Sequence, residues 1–391
     1  MPTAPDAEPE LSLVLPCLNE ADTLASCLEK AQKALTLHGI SGEIIVADNG
    51  SSDASPEIAR RCGARLVAVA ERGYGSALAG GIAAARGRYV LMGDADDSYD
   101  FGELPRFVAE LRAGADLVQG CRLPAGGGRV LPGAMPFLHR RIGNPLVTAM
   151  LRRMFKSRLH DAYCGMRAFR TEFQRGLDQR CTGMEFALEM LVKAALRGAR
   201  VAEVPITLHP DGRRSHGPHL RSFRDGWRSV RFFLMWSPRW LFLYPGFLLV
   251  AAGLLGYALA LPGLAVFGAE LDAHTLLFAS LLVLMGYQSV LFALLSKTFA
   301  TSEGLLPEDP RLTRLFEWLR LETGLLLGGA ALALGALLLA LALGDWRDAN
   351  FGDLDYARTM RLVIPGVTLA ALGFQTVLWS FFVSILGMGR R

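Results

Sequence analysis

The chain carries two different hydrophobic patterns. As far as about residue 234, short apolar runs alternate with amphipathic stretches, and charged residues recur every few positions. Beyond residue 240, long apolar stretches run almost without charge. Short apolar runs bounded by turn residues are typical of buried strands, whereas about 20 consecutive apolar residues suffice to cross a membrane as a helix. The pattern therefore predicts a soluble part followed by a membrane part.

The soluble part has the pattern of an α/β fold. Apolar runs predict strands at residues 11–16, 43–48, 64–69, 88–93, 116–120 and 202–208. Amphipathic stretches predict helices at residues 21–37, 56–62 and 185–197. Strands that alternate with helices imply right-handed crossovers and a doubly wound, mostly parallel, Rossmann-like sheet. Ligands of such sheets bind beyond the carboxyl ends of the strands, so the polar residues that follow these runs are the first candidates for a site.

The second part predicts four membrane-spanning helices, at residues 241–261, 275–297, 323–343 and 362–386. The loop between the first two spans contains no Lys or Arg. The next loop contains Lys297, Arg311, Arg314 and Arg320, and the chain ends in Arg390 and Arg391. Basic loops stay on the cytosolic side, so we expect a multi-pass protein of the cell (inner) membrane with the catalytic domain and both termini in the cytosol. No span has an obvious interior charge, which argues against a transport pathway.

Two flanking segments complete the predicted organisation. Residues 1–10 are polar and lack the features of a secretory signal, and we expect them to be disordered. In residues 216–240, aromatic side chains interleave with arginines, which is typical of helices at a membrane interface; a helix of the soluble core is the alternative. The expected domains are thus 1–10, 11–215, 216–240 and 241–391. The net charge of +4 is too small to indicate nucleic acid, and the arginines before the first span fit an anionic membrane surface or a phosphate-bearing ligand.

The strongest chemical signal is Asp94-Ala95-Asp96, which follows the predicted strand at residues 88–93. Two carboxylates one residue apart at a strand end can aim at a single hard cation, and Mg²⁺ or Mn²⁺ prefers such oxygen ligands while it bridges phosphates. A cation there would neutralise the charge that builds on a departing nucleoside diphosphate. We therefore predict that Asp94 and Asp96 are metal ligands.

A second polar group follows the first two predicted strands. It contains Asn19 and Glu20 after residues 11–16, and Asp48 at the end of residues 43–48. Acidic groups at these positions are suited to accept hydrogen bonds from a ribose or a base. Ordinary capping accounts for part of this group, such as Asn19, but the sequence gives no capping reason for Asp48.

The segment that begins at Gly73 resembles a dinucleotide-binding fingerprint. Gly73 and Gly75 follow a predicted strand and open a helix, and Asp94 lies about 20 residues further on. Leu78 replaces the third glycine, however, and the segment follows the third strand, which excludes a dehydrogenase from the leading hypotheses. We expect the helix N-terminus near Gly75 to face phosphates.

Asp161 and Arg167 lie close together in the run His160-Asp161-Ala162-Tyr163-Cys164-Gly165-Met166-Arg167. A carboxylate here is suited to orient or deprotonate an acceptor, and an arginine to hold its phosphate bidentately. A surface turn with a salt bridge is the alternative.

Six motifs, taken in chain order, resemble those of the polyprenyl-phosphate glycosyltransferases similar to dolichol-phosphate mannose synthase. They are PCLNE, ADNGSSD, GDADDSYD, GCR, DAYCGMRAF and AEVPI. The resemblance covers about residues 10–240 and implies a GT-A fold. It also implies inverting transfer of a hexose from a UDP- or GDP-sugar to a polyprenyl phosphate, with a divalent metal. Residue by residue, it assigns Pro16, Glu20 and Asp48 to the nucleoside, Asp94, Ala95 and Asp96 to the metal and diphosphate, Arg122 to the phosphates, Asp161 to the acceptor side, and Arg167 to its phosphate.

The sequence departs from this family in two places. Asn49 stands where a second aspartate is frequent. After Pro205 the sequence runs Asp211-Gly212-Arg213-Arg214-Ser215-His216, where the family usually has Arg-x-x-Gly-x-Ser-Lys. We expect Arg213 and Arg214 to bind the acceptor phosphate. A polyprenyl phosphate is already ionised at neutral pH. We therefore expect Asp161 to position the acceptor or to support its arginine.

Two alternative functions stay open at this level. In the first, the acceptor is a lipid hydroxyl, as in diacylglycerol or ceramide, which would need a true general base. In the second, the chain is a membrane scaffold that keeps a nucleotide-binding fold without turnover. The sequence is compatible with a homo-oligomer and does not fix the oligomeric state.

Overall fold

The computed structural model describes residues 8–215, 222–266, 269–307, 310, 314 and 320–388. Of the segment 1–10 that we expected to be disordered, residues 1–7 lie outside the described residues, as do the basic positions Arg221, Arg311, Arg390 and Arg391. Within residues 8–10, the amide of Glu10 donates to the carbonyl oxygen of Ser41 at 2.8 Å, and its carboxylate pairs with Arg112 at 2.6 Å. The chain divides into two compact units, residues 1–233 and 234–391.

The first unit is built on a seven-stranded sheet. The strands are β1 (Leu11–Cys17), β2 (Gly42–Asp48), β3 (Arg65–Ala68), β4 (Tyr89–Met92), β5 (Leu117–Cys121), β7 (Arg167–Arg170) and β8 (Val201–Pro205); two further strands, β6 (Arg129–Val130) and β9 (Thr207–Leu208), pair with each other. The order in the sheet is β3-β2-β1-β4-β7-β5-β8. β1 and β4 are buried along almost their whole length. Their sequences are nearly continuous apolar runs, which a strand covered on both faces requires. The predicted mostly parallel sheet is confirmed.

Helices connect these strands. They are α1 (Leu24–Leu37), α2 (Ser55–Arg61), α3 (Tyr74–Ala84), α4 (Leu104–Arg112), α5 (Asn144–Phe155), α6 (Thr171–Gly176), α7 (Glu185–Leu196) and α8 (Ser222–Trp236). α1 begins three residues later than predicted because the hydroxyl of Thr23 is bonded to the carbonyl oxygen of Ala95, 2.6 Å away, and residues 21–23 form a turn. Apolar periodicity locates a helix well but does not reveal such a tertiary contact.

β7 is the main departure from the predicted topology. Arg167–Arg170 runs antiparallel between β4 and β5, so the sheet is not purely parallel. The sequence hides this strand because it is four residues long and begins and ends with arginine. The predicted strand at residues 202–208 also differs: it divides at Ile206 into β8, which joins the main sheet, and β9, which pairs with β6.

The second unit contains four long apolar helices, as predicted. They are α9 (Tyr244–Ala260), preceded by one wide turn at Arg239–Leu243, α10 (Ala273–Ser302), α11 (Leu321–Asp348) and α12 (Tyr356–Met388). Each is long and apolar enough to cross a membrane. Glycines allow close packing of α11 on α12: a Cβ atom added at Gly328 or Gly335 would lie within 3 Å of the backbone of the facing helix.

Candidate functional site

The carboxyl ends of β1, β2, β4 and β5 meet at one edge of the sheet, because these strands all run in the same direction. Glu20, Asp48, Asp94, Asp96 and Arg122 follow these strands. Pro16 lies in β1 beside Ala47 of β2 and beyond Val14, the last β1 residue that pairs with β4. Proline is tolerated there because it removes no hydrogen bond to β4.

The Asp94-Ala95-Asp96 turn is held on several sides. The Tyr74 hydroxyl donates to Asp94 Oδ1 at 2.8 Å, and the Ser98 hydroxyl donates to Asp96 Oδ1 at 2.6 Å. The amide of Gly212 donates to the carbonyl oxygen of Asp96 at 2.9 Å. These bonds fix the turn and one oxygen of each carboxylate, which is what a preorganised ligand pair requires. The second oxygen of Asp96, Oδ2, lies 3.4 Å from the guanidinium of Arg213.

The electrostatics of this turn fit a cation. Partial burial and the neighbouring charge of Asp96 raise the pKa of Asp94 to about 6. Two carboxylates held together at a strand end repel each other, and a divalent cation would relieve that repulsion. Among the described residues, no group of three or more His, Cys, Asp or Glu side chains is placed to hold a metal. Asp94 and Asp96 would therefore hold a cation together with the oxygens of a diphosphate and water, as Mg²⁺ does in phosphate-binding sites.

The raised pKa predicts how cation binding depends on pH. A cation binds the ionised form of Asp94, and below a pKa of about 6 a proton competes with it. The affinity for Mn²⁺ should therefore be nearly constant above pH 7 and fall by up to about tenfold per pH unit below pH 6. Titration of the full chain with Mn²⁺ at pH 5, 6, 7 and 8, followed by electron paramagnetic resonance of the free ion, measures this. An affinity that is the same at pH 5 and pH 8 would contradict the raised pKa.

Arg213 lies in the middle of the acidic edge. Its guanidinium donates to both oxygens of Glu20, at 2.6 and 2.7 Å, and lies 3.4 Å from Asp96 Oδ2. Asp211 is a further partner at 2.8 Å. The pKa of Arg213 is raised, since these carboxylates outweigh the cost of partial burial. Arg213, predicted as an acceptor-phosphate ligand, thus lies among the residues predicted for the nucleotide sugar.

Arg214 differs from its neighbour. The backbone amide of Arg214 donates to Asp22 Oδ2 at 2.9 Å, and its side chain is exposed. The adjacent amide of Ser215 donates to the same oxygen at 2.8 Å. Asp22 therefore holds residues 214 and 215 beside the start of α1 by their backbone.

The loop after β2 corrects one expectation. The carboxylate of Asp48 accepts the backbone amides of Gly50 and Ser51, at 3.3 and 3.2 Å, so capping of a turn does account for it. Asn19 takes a positive φ of 59° and accepts the amide of Ser52 at 2.8 Å. Asn49 holds the next loop: its amide donates to the carbonyl oxygens of Val69 and Glu71. The Asp48 side chain is nevertheless half exposed at this edge.

Gly75 lies against a neighbouring loop. A Cβ atom at Gly75 would come within 2.8 Å of the carbonyl oxygens of Gly183 and Cys181. The amide of Ser76, the third residue of α3, donates to the carbonyl oxygen of Thr182 at 3.1 Å. Close packing explains the glycine, and one amide of the first turn of α3 is already used. The predicted contact of the helix N-terminus near Gly75 with phosphates stays a prediction.

Arg122 and Asp161 form a buried ion pair. The guanidinium of Arg122 donates to both oxygens of Asp161, at 2.7 and 2.9 Å, and Asp161 also accepts the amides of Arg122 and Tyr163. Asp161 is fully buried, and burial alone would raise its pKa; the charge and hydrogen bonds of Arg122 outweigh burial and hold the pKa below its ordinary value. Asp161 is thus an ionised support for Arg122 in this structure.

Arg167 is also fully buried, at the start of β7. Its guanidinium donates to the carbonyl oxygens of Ala187 and Cys164. Burial lowers the pKa of Arg167. Its predicted contact with an acceptor phosphate stays a prediction, because a direct contact would require the side chain to leave these carbonyls.

Sequence reasoning missed three residues that shape the site. Tyr74 binds Asp94, Tyr99 accepts the amide of Gly165 at 2.8 Å, and Gly165 lies so close to Asp94 that an added Cβ atom would be 2.6 Å from Asp94 Oδ2. Gly165 therefore brings the loop that carries Asp161 against the Asp94 turn. The sequence signal for each was its position within a predicted motif: Tyr74 lies between Gly73 and Gly75, Tyr99 follows the Asp94-Ala95-Asp96 motif, and Gly165 lies in the run from His160 to Arg167.

The sequence of the chain matches two family models and is similar to known proteins. A family model described as glycosyl transferase family 2 matches residues 12–177, and one described as the C-terminal transmembrane region of glycosyltransferase family 2 matches residues 294–387. The low-salt glycan biosynthesis hexosyltransferase Agl6 of Haloferax volcanii is 39% identical over 98% of this chain and 90% of its own length.

Two further similarities each cover between 50% and 58% of the chain. The dolichyl-phosphate hexose transferase of Haloferax volcanii is 32% identical over 50% of this chain and 82% of its own length. Among solved structures, glucosyl-3-phosphoglycerate synthase from Mycobacterium tuberculosis is similar with a TM-score of 0.44 and 23% identity, over 58% of this chain and 78% of that one.

Proposed function

The chain belongs to glycosyltransferase family 2 and has the C-terminal transmembrane region found in that family, and we propose that it transfers a hexose from a nucleotide sugar to a polyprenyl phosphate. The donor is a UDP- or GDP-sugar, and the product is a polyprenyl-phosphate sugar with inverted configuration at the anomeric carbon. The first unit has the GT-A fold. The names of relatives, among them a dolichyl-phosphate hexose transferase, support the choice of acceptor.

The observation that carries the proposal is the Glu20, Arg213 and Asp96 cluster beside Asp94. One guanidinium bridges a carboxylate of the predicted nucleoside side and a carboxylate of the predicted metal side. A nucleoside diphosphate has the matching order of groups: hydroxyls that donate to carboxylates, then anionic oxygens that bind a cation and an arginine. We propose that Arg213 moves from Glu20 and Asp96 to the diphosphate when the donor binds.

Mg²⁺ or Mn²⁺, held by Asp94 and Asp96, would supply positive charge to the departing diphosphate. The chain's own residues do the rest. Glu20 and Asp48, with Pro16 and Asn19 beside them, bind the nucleoside, and Tyr74 keeps the Asp94 carboxylate in place. Arg122, fixed by Asp161, adds positive charge near the same turn.

The state of Asp161 supports an acceptor that is already anionic. A general base needs a free lone pair and a pKa near the working pH. Both oxygens of Asp161 are engaged by Arg122, and its pKa is lowered. A phosphate monoester is ionised at neutral pH and needs no base, so this arrangement favours a lipid phosphate over a lipid hydroxyl.

The surface of the first unit supports a membrane-borne acceptor. Four apolar side chains near the start of α5 are more than half exposed: Phe137, Leu138, Ile142 and, in its first turn, Leu146. No Asp or Glu occurs between Asp116 and Asp161. Exposed apolar side chains among arginines suit the headgroup region of a bilayer. The hydroxyl of Tyr163 bonds to Ser229 of α8, which ties the Asp161 loop to that amphipathic helix. We propose that both termini and the catalytic domain are cytosolic at the inner membrane.

A labelling experiment tests the proposed reaction. Membranes that contain the full chain are incubated with radiolabelled UDP- and GDP-sugars and polyprenyl phosphate, with Mn²⁺, with Mg²⁺ or with a chelator. We expect labelled polyprenyl phosphate with at least one donor, and its loss with the chelator. Diacylglycerol and ceramide in place of the lipid phosphate test the hydroxyl alternative. No labelled lipid under any condition would overturn the proposal and favour a scaffold.

Replacement of Arg213 by glutamine is expected to raise the KM for the nucleotide sugar by roughly tenfold to a hundredfold, because a charge-assisted contact to the diphosphate is lost. The donor KM of Arg213→Lys should lie between those of the native chain and Arg213→Gln, since lysine keeps the charge but not the paired geometry. Initial rates at varied donor concentration measure this.

Arg214→Gln is the matched control for Arg213→Gln, because the Arg214 side chain is exposed and the bond to Asp22 is made by the backbone amide of Arg214. It should leave the donor KM unchanged. A raised acceptor KM in this variant would support the predicted role of Arg214 at the acceptor phosphate. Equal effects of both variants on the donor KM would contradict a specific role for Arg213.

A further inference from the structure

The outward face of α10 carries a polar side chain at its centre. Exposed side chains recur along this helix at alternating steps of three and four residues: Phe278, Leu281, Met285, Gln288, Phe292 and, two steps on, Phe299. We call these six residues the α10 seam. Such spacing keeps a row of side chains on one face when two helices wrap around each other. Gln288 lies near the middle of α10, which spans Ala273–Ser302.

The side chain of Gln288 is an amide in the middle of a helix that is apolar enough to cross a membrane. Lipid chains at that depth would offer it no hydrogen bonds. Its Oε1 accepts a bond from Nε2 of Gln375 in α12, at 3.4 Å. Gln375 Oε1 is buried and has no hydrogen-bond partner within the described residues. An amide has two donors and two acceptor positions. This pair therefore keeps unused hydrogen-bonding capacity in an apolar region, where an unmet polar group is costly.

Five hydroxyls of the four helices are paired inside the bundle. The Tyr287 and Thr376 hydroxyls lie 2.6 Å apart, and the Tyr257 hydroxyl bonds to Ser280 at 2.6 Å and to Thr368 at 3.0 Å. Gln288 follows Tyr287 directly but is turned outward and is exposed. The bundle thus pairs these hydroxyls internally and presents an amide on its surface.

We propose that two copies of this chain associate in the membrane through the α10 seam, with Gln288 at the centre of the interface. A second copy fits because an amide is both donor and acceptor, so identical amides complement each other across a twofold axis. Amide bonds between helices stabilise association in lipid, and a single polar position within an apolar seam fixes the register of two helices. A lipid chain would leave both glutamines without these bonds.

Disulfide cross-linking of the full chain in membranes tests the proposed interface. The six native cysteines all lie at or before Cys181, so the second unit contains none. Met285→Cys should give a cross-linked dimer under mild oxidation with a yield more than tenfold above that of Leu326→Cys. Leu326 is the matched control: it is 73% exposed and lies on α11, away from the seam. Equal yields, or a cross-link to a protein of another mass, would overturn the proposal.

The amide itself is tested in the Met285→Cys background. Adding Gln288→Leu should lower the dimer yield about tenfold, whereas Gln288→Asn, which keeps an amide, should restore much of it. Phe292→Leu, an apolar change in the same seam, should have little effect. A yield unaffected by Gln288→Leu would exclude the amide as the determinant. This interface does not depend on the proposed reaction, since each variant is scored by cross-linking and not by sugar transfer.

Discussion

Replacement of Asp94 by asparagine is expected to lower the rate of sugar transfer by roughly a hundredfold to a thousandfold, the scale of losing one preorganised electrostatic group at a reacting centre. Asparagine has the shape of aspartate and still offers an oxygen to the Tyr74 hydroxyl, 2.8 Å away in the native site. What it removes is the negative charge that would hold a divalent cation with Asp96. The rate is measured at saturating donor and lipid phosphate, over a range of Mn²⁺ concentrations.

Measurements of stability distinguish the loss of the Asp94 charge from unfolding of the variant as the cause of a lower rate. The pKa of Asp94 is raised to about 6, above its ordinary value of 3.8, so the folded state binds a proton there more tightly than the unfolded state does. The contribution of a protonated Asp94 to stability is therefore present at low pH and is lost as pH rises through about 6. A neutral asparagine should leave the metal-free protein at pH 7.5 at least as stable as the native chain, and should abolish stabilisation by Mn²⁺.

Asp97→Asn is the control for Asp94→Asn. Asp97 belongs to the same acidic turn, but its carboxylate faces α1 and pairs with Lys30 at 2.7 Å. This half-exposed pair should contribute little to stability, and the variant should transfer sugar at near the native rate. An Asp94→Asn enzyme that keeps more than a tenth of the native rate, or an Asp97→Asn enzyme that loses as much, would contradict the assigned role of Asp94.

The sequence was sufficient to predict the sheet edge because the information there is local. Each apolar run ends at a polar residue, and parallel strands bring those ends together whatever the details of the connecting loops. Strand direction alone therefore predicts that four residues lie together at this edge: Asp94, Asp96, Glu20 and Arg122. The four apolar helices of the second unit could be predicted for a similar reason, since membrane thickness fixes their length.

The sequence does not predict which residues the charged side chains of the site bond to. Arg213 is 193 positions from Glu20, and nothing in its neighbourhood indicates that it bonds to that residue instead of an acceptor. Arg167 resembles a ligand in its motif, yet its guanidinium is buried and donates to the carbonyl oxygens of Ala187 in α7 and of Cys164. In both cases a long-range pairing that leaves no periodic signal decides the role of the side chain.

Asp161→Asn is expected to destabilise the first unit strongly, because it leaves the buried charge of Arg122 without its partner. Loss of one member of a buried ion pair costs about 3 kcal/mol or more, which for a unit of this size lowers the melting temperature by roughly 6 to 12 °C. Transfer should fall as well, since Arg122 loses the carboxylate that orients it. Thermal unfolding and initial rates of the purified full chain measure the two effects; full stability and full turnover would refute the supporting role.

A comparison with Arg122→Gln then distinguishes support from base catalysis. If Asp161 acts only through Arg122, then Arg122→Gln should lower the rate as much, and the double variant should be little worse than either single one. The dependence of the residual rate of Asp161→Asn on pH should follow that of the native enzyme, because the lowered pKa of Asp161 leaves it ionised throughout the neutral range. A general base would behave differently: Asp161→Asn would remove one limb of a bell-shaped profile that Arg122→Gln preserves. That outcome would point to a lipid hydroxyl as acceptor, since an ionised lipid phosphate has no proton to give up.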